Sequence, residues 1–436
     1  MRRREFLNGV VGAALGVSAL HWENGGVCGA LETFADGAAS SAASGKLPKN
    51  VVRRGEYRNS KRVFETTGRG RVAFLGGSIT EMDGYRPMVC DYLTKKFPQT
   101  EFDFVAAGIS STCSDVGAFR LETDVLKNGP VDLFFVEFSV NDDQDGRFSV
   151  ERAIRGMEGI IGRMRAENPN VDVVMTFFVN ERLMADYRAG KVAPSIQAHS
   201  AVAERWAIST INLAKEIQER IDAKRLTWQE FGGVHPAPRG NKICADMIAA
   251  LLDDAWSETC AESAESAEAG LTPHKTPKPL DEFSFMNAGF RGFDGVATNV
   301  GKIDDGASVK DGGFKLYVPD WSKIRGSFRS TFANLPLLCG EKVGAEFSFD
   351  FEGRALALYV LAGPDAGRLD VKIDGGDWTQ VEVFHDYSGG LHYPRAVALA
   401  DGLKRGRHSV VCRIAAEKDK RSAGNAVRIL QICVDR

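Results

Sequence analysis

Four short runs of nearly continuous apolar residues occur between residues 72 and 178, and longer segments with helical periodicity follow them. Continuous apolar runs are typical of strands that are covered on both faces, as in a parallel sheet. The predicted strands are Val72–Leu75, Phe102–Ala106, Leu133–Phe138 and Val171–Phe178, and the predicted helices are Pro87–Phe97, Ser114–Asn128, Ser149–Asn168, Ser195–Ala223 and Ile243–Leu252. This alternation predicts an α/β domain with a parallel sheet and helices on both faces, a three-layer α/β/α arrangement.

The pattern changes after residue 280, where short runs of alternating apolar and polar residues replace the helical periodicity. The predicted strands are Phe314–Val318, Ala345–Phe351, Ala355–Leu361, Leu369–Ile373, Val381–Phe384, His408–Ile414 and Val427–Val434. Residues 281–436 are therefore predicted to form an all-β domain, a sandwich or jelly roll. Residues 257–280 are rich in Ala, Glu and Ser and then in Pro, and they are predicted to link this domain to the α/β domain over residues 46–256.

The first residues have the pattern of an export signal. Arg3 and Arg4 precede an apolar run, Val10–Leu20, which is too short to span a membrane but suits a secretory signal. Residues 1–45 are therefore predicted to be a twin-arginine signal peptide followed by a disordered segment. The predicted location of the protein is periplasmic or extracellular.

Composition excludes several classes of function. The 436 residues include 55 Lys and Arg against 58 Asp and Glu, a net charge of −3, and they contain no basic stripe that would favour nucleic acid. No apolar run is long enough to span a membrane. The seven histidines are dispersed and the eight cysteines form no C-x-x-C pair, so neither a metal nor another cofactor is predicted. Export would permit disulfides, and Cys412 with Cys433 is the candidate pair.

Candidate catalytic residues follow the predicted strands. Ser78 follows Gly76 and Gly77 at the end of the first strand, Gly108 follows the second strand and Asn141 follows the third. His235 lies in a Gly- and Pro-rich loop before the last helix. Because the carboxyl ends of parallel strands meet at one edge of a sheet, these residues can converge despite their separation in sequence.

Four segments, Gly76–Thr80, Gly108, Val140–Asp142 and Val234–Pro236, resemble in this order the four blocks of the SGNH/GDSL hydrolase superfamily. The resemblance covers residues 72–252 and implies a flavodoxin-like SGNH hydrolase domain. It also implies that Ser78 is the nucleophile and His235 the base, with an oxyanion hole formed by the backbone N–H groups of Ser78 and Gly108 and the amide of Asn141. These roles are chemically reasonable, because a serine hydroxyl needs a base and the developing oxyanion needs fixed donors.

The chain departs from the family pattern at two positions. Gly77 stands where the first block usually has aspartate, and Gly232 stands where an aspartate usually precedes the histidine by three residues. Two alternatives follow: either His235 works in a Ser–His dyad, oriented by a backbone carbonyl, or another carboxylate replaces the aspartate. Glu230 is the nearest candidate acid, whereas Asp142 and Asp143 are expected to order the loop around Asn141. His199 is expected to serve packing or the surface.

The all-β domain resembles the accessory β-sandwich domains of carbohydrate-active SGNH esterases. Its aromatic side chains, either sugar-stacking or core residues, include Trp321, Trp378, Tyr387 and Tyr393. The leading hypothesis is an exported esterase that hydrolyses small acyl esters, foremost acetyl, on a small-molecule or polysaccharide substrate. A carbohydrate O-acyltransferase and a non-catalytic carbohydrate-binding protein with a degenerate site are the alternatives. The sequence indicates no oligomeric state.

Overall fold

The computed structural model describes residues 47–55, 57–257, 270–298, 301–302 and 313–436. These residues belong to one compact unit, Lys46–Arg436. The predicted export signal and residues 258–269 of the predicted linker lie outside the described residues, and the predicted domain boundaries stay predictions. Within the described ranges no helix has the length and apolar character needed to cross a membrane.

The first part of the chain is an α/β domain built on one mixed sheet. Its strands are β1 (Val51–Val52), β2 (Arg69–Gly76), β3 (Glu101–Gly108), β4 (Leu133–Glu137), β5 (Asp172–Thr176) and β6 (Ser209–Ile211). They lie in the order β1-β6-β5-β4-β2-β3. Strands β2 to β6 are parallel, and β1 pairs antiparallel with β6. The four predicted strands are all present in this sheet, and their carboxyl ends meet at one edge.

Ten α-helices accompany the sheet in the described residues. They are α1 (Arg58–Thr67), α2 (Ser78–Glu81), α3 (Tyr85–Lys96), α4 (Ser114–Asp124), α5 (Val150–Glu167), α6 (Glu181–Arg188), α7 (Pro194–Arg205), α8 (Leu213–Asp222), α9 (Trp228–Phe231) and α10 (Pro238–Trp256). The prediction of one helix over Ser195–Ala223 was wrong. Helix α7 ends at Arg205, Ala207 adopts a left-handed φ of 52°, and the three residues of β6 then join the sheet before α8 begins.

The second part of the chain consists of antiparallel strands in two sheets. The strands are β7 (Ala288–Phe290), β8 (Ala297–Thr298), β9 (Gly301–Lys302), β10 (Lys315–Tyr317), β11 (Leu337–Gly340), β12 (Glu346–Gly353), β13 (Ala355–Ala362), β14 (Arg368–Ile373), β15 (Thr379–Glu382), β16 (Tyr393–Ala400), β17 (Gly406–Ile414) and β18 (Val427–Asp435). The inner sheet has the order β10-β11-β18-β13-β16, with β7 on β18, and the outer sheet has the order β15-β14-β17-β12-β8-β9. The predicted sandwich is therefore confirmed.

Strand β13 explains how the two parts of the chain fit together, because all eight of its residues are buried. Leu356, Leu358 and Val360 belong to the core between the two sheets. The alternate residues Ala357 and Tyr359 belong instead to the same apolar core as the α/β domain. Since side chains alternate along a strand, the inner sheet must be covered on both faces, by the outer sheet and by the α/β domain.

The candidate disulfide does not form, because Cys412 and Cys433 are both free and buried. Cys412 lies on β17 in the outer sheet and faces the core of the sandwich, whereas Cys433 lies on β18 in the inner sheet and faces the α/β domain. The prediction of a disulfide between these two residues was therefore wrong.

Candidate active site

The strand β2 and the helix α2 meet at Ser78, which is the first residue of α2 and is half-buried. The two preceding glycines are required by close neighbours. A Cβ on Gly76 would overlap the carboxylate of Glu137, and a Cβ on Gly77 would overlap the side-chain amide of Asn141. The absence of side chains at these positions therefore lets a carboxylate and an amide approach the turn that carries Ser78.

Gly108 and Asn141 lie beside Ser78 because their strands are the two neighbours of β2. Gly76 pairs with Gly108 on β3 and with Glu137 on β4, and Asn141 begins a π-helical turn, Asn141–Asp145, just after β4. A Cβ on Gly108 would overlap the backbone of Thr80 and Glu81 in α2. The structure thus brings together the three residues that the sequence assigns to the oxyanion hole.

His235 completes the group, since its Nε2 lies 2.8 Å from Ser78 Oγ. It is exposed and lies between α9 and α10, 157 residues from Ser78 along the chain. In the described part of the chain this is the one hydrogen bond of the imidazole, and it has the geometry that a base needs to accept the serine proton. No described carboxylate is hydrogen-bonded to the ring.

The loop before His235 explains why the usual aspartate is missing. Gly232 and Gly233 both have left-handed φ angles, 105° and 82°. A Cβ on Gly232 would overlap the backbone nitrogen of Ala237, which donates a hydrogen bond to Phe231 O over 2.8 Å. An aspartate at position 232 would therefore require this tight turn to open, so the turn and the usual acid exclude each other.

Glu230, the candidate acid, is directed elsewhere. Its Oε2 accepts hydrogen bonds from Thr227 N and Thr227 Oγ1, over 2.7 and 2.9 Å, which closes a capping box on α9. Its Oε1 accepts from Arg239 Nη1 over 2.6 Å. These contacts lower the pKa of the Glu230 carboxyl, the bonds from Thr227 most of all. The expectation that Glu230 orients His235 is corrected accordingly, because the helix cap already uses its carboxylate.

Substitution of Glu230 by glutamine is therefore expected to leave kcat and the pH profile unchanged, since the carboxylate touches Thr227 and Arg239 rather than the imidazole. Steady-state kinetics on an acetyl ester would measure this. Asp246→Asn, which removes another exposed carboxylate that is paired with Lys242, is the matched control. A tenfold fall in kcat that is specific to Glu230→Gln would restore the orienting role.

Asp145 holds the amide of Asn141. Asn141 Nδ2 donates to Asp145 Oδ2 over 2.7 Å, and both residues are buried. Burial raises the pKa of the Asp145 carboxyl to about 6. Because one N–H of the amide is bound by Asp145, the side chain of Asn141 has a fixed orientation.

Replacing Asn141 by alanine is expected to lower kcat by about 10²–10³-fold, the usual cost of one oxyanion donor, with a small effect on KM. Asn128→Ala, at an exposed asparagine before β4 and away from the site, is the matched control and should retain kcat. An unchanged kcat in Asn141→Ala would exclude this amide from the oxyanion hole.

Glu137 is a residue of the site that the sequence interpretation missed. It is fully buried at the end of β4, where its Oε1 accepts from Gly77 N over 2.9 Å and from Thr80 Oγ1 over 2.7 Å. Burial raises its pKa to about 7. Glu137 is therefore bonded to one residue before Ser78, Gly77, and to one after it, Thr80, and so fixes the turn that carries Ser78. The sequence did contain a sign of this role, because Glu137 is a carboxylate at the end of an otherwise apolar strand.

The acidic loop behind Asn141 is ordered as expected. Asp142 Oδ1 accepts from Ser114 N over 2.8 Å, and Asp142 Oδ2 lies 2.9 Å from His199 Nε2. His199 and Asp142 are both fully buried, so His199 serves packing rather than the surface. Asp143 Oδ2 accepts from Asn180 Nδ2 over 3.2 Å. These bonds fix the loop to α4, α7 and the residue before α6.

The β-sandwich contributes residues to the same edge of the sheet. Arg329 Nη2 donates to Ser111 Oγ over 2.5 Å, and Tyr393 OH donates to Ser111 O over 3.0 Å. His385 Nε2 lies 3.0 Å from the carbonyl oxygen of Asp145. The loop that follows Gly108 at the end of β3 and the turn after β4 that carries Asn141 are therefore both held by the second part of the chain. The residues in these contacts are more than 200 positions apart in the sequence, so no local sequence pattern indicated that the sandwich holds these two loops.

The four aromatic candidates for sugar stacking have different environments. Tyr393 is buried and stacks on His385 with ring centres 4.3 Å apart. Trp321 is half-buried against Phe328. Trp378 lies on the outer sheet between Lys372 and Arg413. Tyr387 is 47% exposed, and its ring lies 5.6 Å from that of Tyr393, so it combines exposure with proximity to the Asp145 loop.

The pH dependence of hydrolysis follows from the surroundings of His235. Partial desolvation, and next the positive charge of Arg329, lower the pKa of the imidazole. Since a base must be neutral, kcat/KM is expected to fall as pH decreases through that pKa, with a midpoint below the ordinary imidazole value of about 6.5.

Removing the charge in Arg329→Gln should favour the imidazolium and move this acid limb to higher pH, whereas Arg329→Lys should leave it in place. Lys323→Gln, in the same segment, is the control. The Asp145→Asn variant should keep the acid limb of the kcat/KM profile. This result would show that the limb reports the titration of His235 and not that of Asp145. A limb that stays in place in Arg329→Gln would contradict this account.

No cluster of three or more His, Cys, Asp or Glu side chains able to hold a metal ion occurs among the described residues. The absence of a cofactor stays a prediction.

Comparison with known families agrees with the geometry. Residues 74–243 match the GDSL-like Lipase/Acylhydrolase family, a range that contains Ser78, Gly108, Asn141 and His235. This part of the chain is therefore a GDSL-like acylhydrolase domain, and the resemblance to this class is confirmed. Acylhydrolases of this class act on ester bonds. No curated protein sequence matches the chain.

Among solved structures, a two-domain esterase (CEX) active on acetylated mannans, co-crystallized with mannopentaose, superposes with a TM-score of 0.66. It is 20% identical in sequence, and the alignment covers 88% of this chain and 96% of the esterase. An acetylxylan esterase from Geobacillus stearothermophilus is 19% identical and covers 43% of this chain and 95% of its own, with a TM-score of 0.35. The first similarity establishes that the two-part fold is shared over nearly the whole of both chains.

Proposed function

We propose that the protein is an exported serine esterase that removes acetyl groups from carbohydrates, with Ser78 as nucleophile and His235 as base. The observation that carries the proposal is the 2.8 Å separation of His235 Nε2 from Ser78 Oγ. A dyad held at this distance on a strand end that also presents Gly108 and Asn141 has the parts that ester hydrolysis needs. Export is supported by the twin-arginine pattern at residues 3 and 4.

In the proposed reaction, Ser78 Oγ attacks the ester carbonyl carbon while its proton passes to His235 Nε2. The negative charge on the carbonyl oxygen is met by the N–H groups of Ser78 and Gly108 and by the Asn141 amide. Collapse breaks the bond to the sugar oxygen, which takes the proton from His235, and leaves an acetyl-serine. Water then attacks with His235 again as base and releases acetate.

The Ser–His dyad works without an orienting carboxylate in this proposal. For Nε2 to act as the base, the ring proton must lie on Nδ1, and no carboxylate among the residues that the structure describes is bonded to the ring to hold it there. In serine hydrolases with a triad, the acid fixes this tautomer and its loss is costly in rate. The proposal therefore places this enzyme among slower serine hydrolases, with kcat limited by the fraction of correctly oriented imidazole.

The choice of a carbohydrate substrate rests on two features. The exposed ring of Tyr387 beside the Asp145 loop offers an aromatic face of the kind that stacks on sugars, and Arg329 adds polar donors at the same edge. The shared fold with an esterase active on acetylated mannans makes an acetylated mannan the first substrate to test.

The deciding experiment is acetate release from acetylated mannan, acetylated xylan and 4-nitrophenyl acetate, with Ser78→Ala as the background. The proposal predicts release from acetylated mannan above that background, and faster hydrolysis of 4-nitrophenyl acetate than of the octanoate. Transfer of acetyl to an added sugar in preference to water would favour the acyltransferase. Binding of mannan without any acetate release would favour the non-catalytic alternative.

A further inference from the structure

A buried cation lies against the ends of the two strands next to the proposed nucleophile. Arg120, on α4, is 1% exposed, and its guanidinium reaches the carboxyl ends of both β2 and β3. Its Nη2 donates to Gly76 O over 2.9 Å, and its Nη1 donates to Ala107 O over 2.7 Å. Nη1 also donates to Asp124 Oδ2 over 2.9 Å, so the buried charge is paired. The proposed reaction has no step that uses this guanidinium.

The peptide that joins Gly76 to Gly77 is bound at both of its ends by charged side chains. Arg120 Nη2 donates to its carbonyl oxygen, and Glu137 Oε1 accepts from its N–H over 2.9 Å. The polarity of the peptide matches these partners, because its oxygen is the negative end of its dipole and its N–H is the positive end. Since a peptide unit is planar, two bonds at opposite ends fix the orientation of the whole plane.

The next peptide along the chain carries the N–H of Ser78. Its oxygen, Gly77 O, accepts from Glu81 N over 3.0 Å, and the N–H of Ser78 lies at the other end of the same plane. Only the φ and ψ angles of Gly77 separate this plane from the one that Arg120 binds. Glycine has wide conformational freedom, and two glycines stand directly before the nucleophile. The hydrogen bonds therefore supply the restraint that these two residues lack.

We infer that Arg120 is a positioning residue of the proposed esterase, an inference that rests on Ser78 being its nucleophile. Together with Glu137, the guanidinium fixes the Gly76–Gly77 peptide and so sets the position of the Ser78 N–H, one of the proposed oxyanion donors. Its bond to Ala107 O also ties this turn to the end of β3. Because Arg120 acts through the backbone and does not touch the substrate, its loss lowers kcat and leaves KM unchanged.

Arg120→Met keeps the length of the side chain but removes its donors. It should lower kcat for acetyl ester hydrolysis about 10²-fold, the cost of misplacing a reacting group by about 1 Å, with little change in KM. Arg120→Lys keeps the charge but offers one nitrogen in place of the planar fork, so its kcat should lie between those of wild type and Arg120→Met. The lysine variant carries the test if the methionine variant does not fold.

Two controls separate this role from general stability. Asp124→Ala removes the ion pair of Arg120 but leaves both carbonyl bonds, and it should retain kcat. Arg428→Met removes another buried arginine, which is 2% exposed and bound to Asp365 in the sandwich. It should lower the thermal unfolding midpoint and also retain kcat.

A double-mutant cycle tests whether Arg120 and Glu137 act on one peptide. Glu137→Met should lower kcat as Arg120→Met does, and Glu137→Gln, which keeps an acceptor oxygen, should recover most of that loss. The double variant Arg120→Met/Glu137→Met should lose clearly less than the product of the two single losses, because both variants release the same peptide. Thermal unfolding of each sample would restrict the comparison to folded protein.

The outcomes distinguish a failure of this inference from a failure of the proposed function. A folded but inactive wild-type protein would overturn the esterase proposal and this inference with it. If the wild type is active, three results would each overturn this inference alone. They are a wild-type kcat in folded Arg120→Met, Arg120→Lys or Glu137→Met, a change in KM in place of kcat, or single losses that multiply in the double variant.

Discussion

Ser78→Ala is expected to lower kcat for acetyl ester hydrolysis by about 10⁴-fold or more, because the acyl-enzyme can no longer form and only binding and the oxyanion donors remain. The variant should fold normally. Ser78 is half-buried, and the one side-chain bond that it loses, to His235, lies in an exposed part of the structure.

The measurement is the initial rate of acetate release, with the thermal unfolding midpoint recorded on the same samples. Ser257→Ala, which removes an exposed hydroxyl at the end of α10, serves as the matched control and should retain the wild-type rate. Substantial hydrolysis by folded Ser78→Ala would mean that another residue, or water alone, attacks the ester.

His235→Ala is expected to lower kcat by about 10⁴-fold, the upper range for the loss of a general base, while substrate binding changes little. The acid limb of the pH profile should disappear with the imidazole, and the remaining rate should rise with hydroxide concentration. Because His235 is exposed, added imidazole should enter the gap and restore part of the rate.

The control for this variant is His408→Ala, since His408 lies on the outer sheet and is bonded to Asp374 and to Lys404 O. It should keep both the rate and the acid limb. A His235→Ala protein that retains an acid limb near the same pH would assign that limb to a buried carboxyl of the site, Asp145 or Glu137, rather than to the imidazole, and would contradict the role of His235 as base.

The sequence was sufficient to predict which edge of the sheet carries the candidate site, and the reason is geometric. Apolar runs locate buried parallel strands, and the polar or glycine residues that end such runs must lie at one edge of the sheet. Ser78 and Asn141 follow β2 and β4, and Gly108 is the last residue of β3; these three strands are adjacent in the sheet. His235 lies in a Gly- and Pro-rich loop that follows no predicted strand, and its role as base came from the resemblance to a known family.

The parts that the sequence did not reveal depend on contacts between distant segments. Glu230 is close to His235 in sequence, but its carboxylate is used by Thr227 and Arg239. The sequence shows that Gly232 departs from the family pattern, which has aspartate at this position. The reason appears only in the structure, where a Cβ at position 232 would overlap the backbone nitrogen of Ala237. The role of Arg329 and His385 depends on how the sandwich is packed on the α/β domain, and nothing local in either segment indicates it.

The short strand β6 shows a different limit. Its three residues lie between two amphipathic helices, and a run of this length cannot be told from helix by periodicity. Strand β13 shows the opposite case: its unbroken apolar run predicted a strand, and the burial of both its faces follows from the packing of the inner sheet between two cores.

The central claim, that Ser78 is an activated nucleophile, can be tested directly with a fluorophosphonate that carries a mass tag, which labels a serine only when it is activated by its surroundings. After digestion, mass spectrometry should find the adduct on the peptide that contains Ser78 in the wild-type protein, and should find it strongly reduced in folded His235→Ala. Folded wild-type protein that remains unlabelled, or that carries the label on a different residue, would contradict the proposed mechanism.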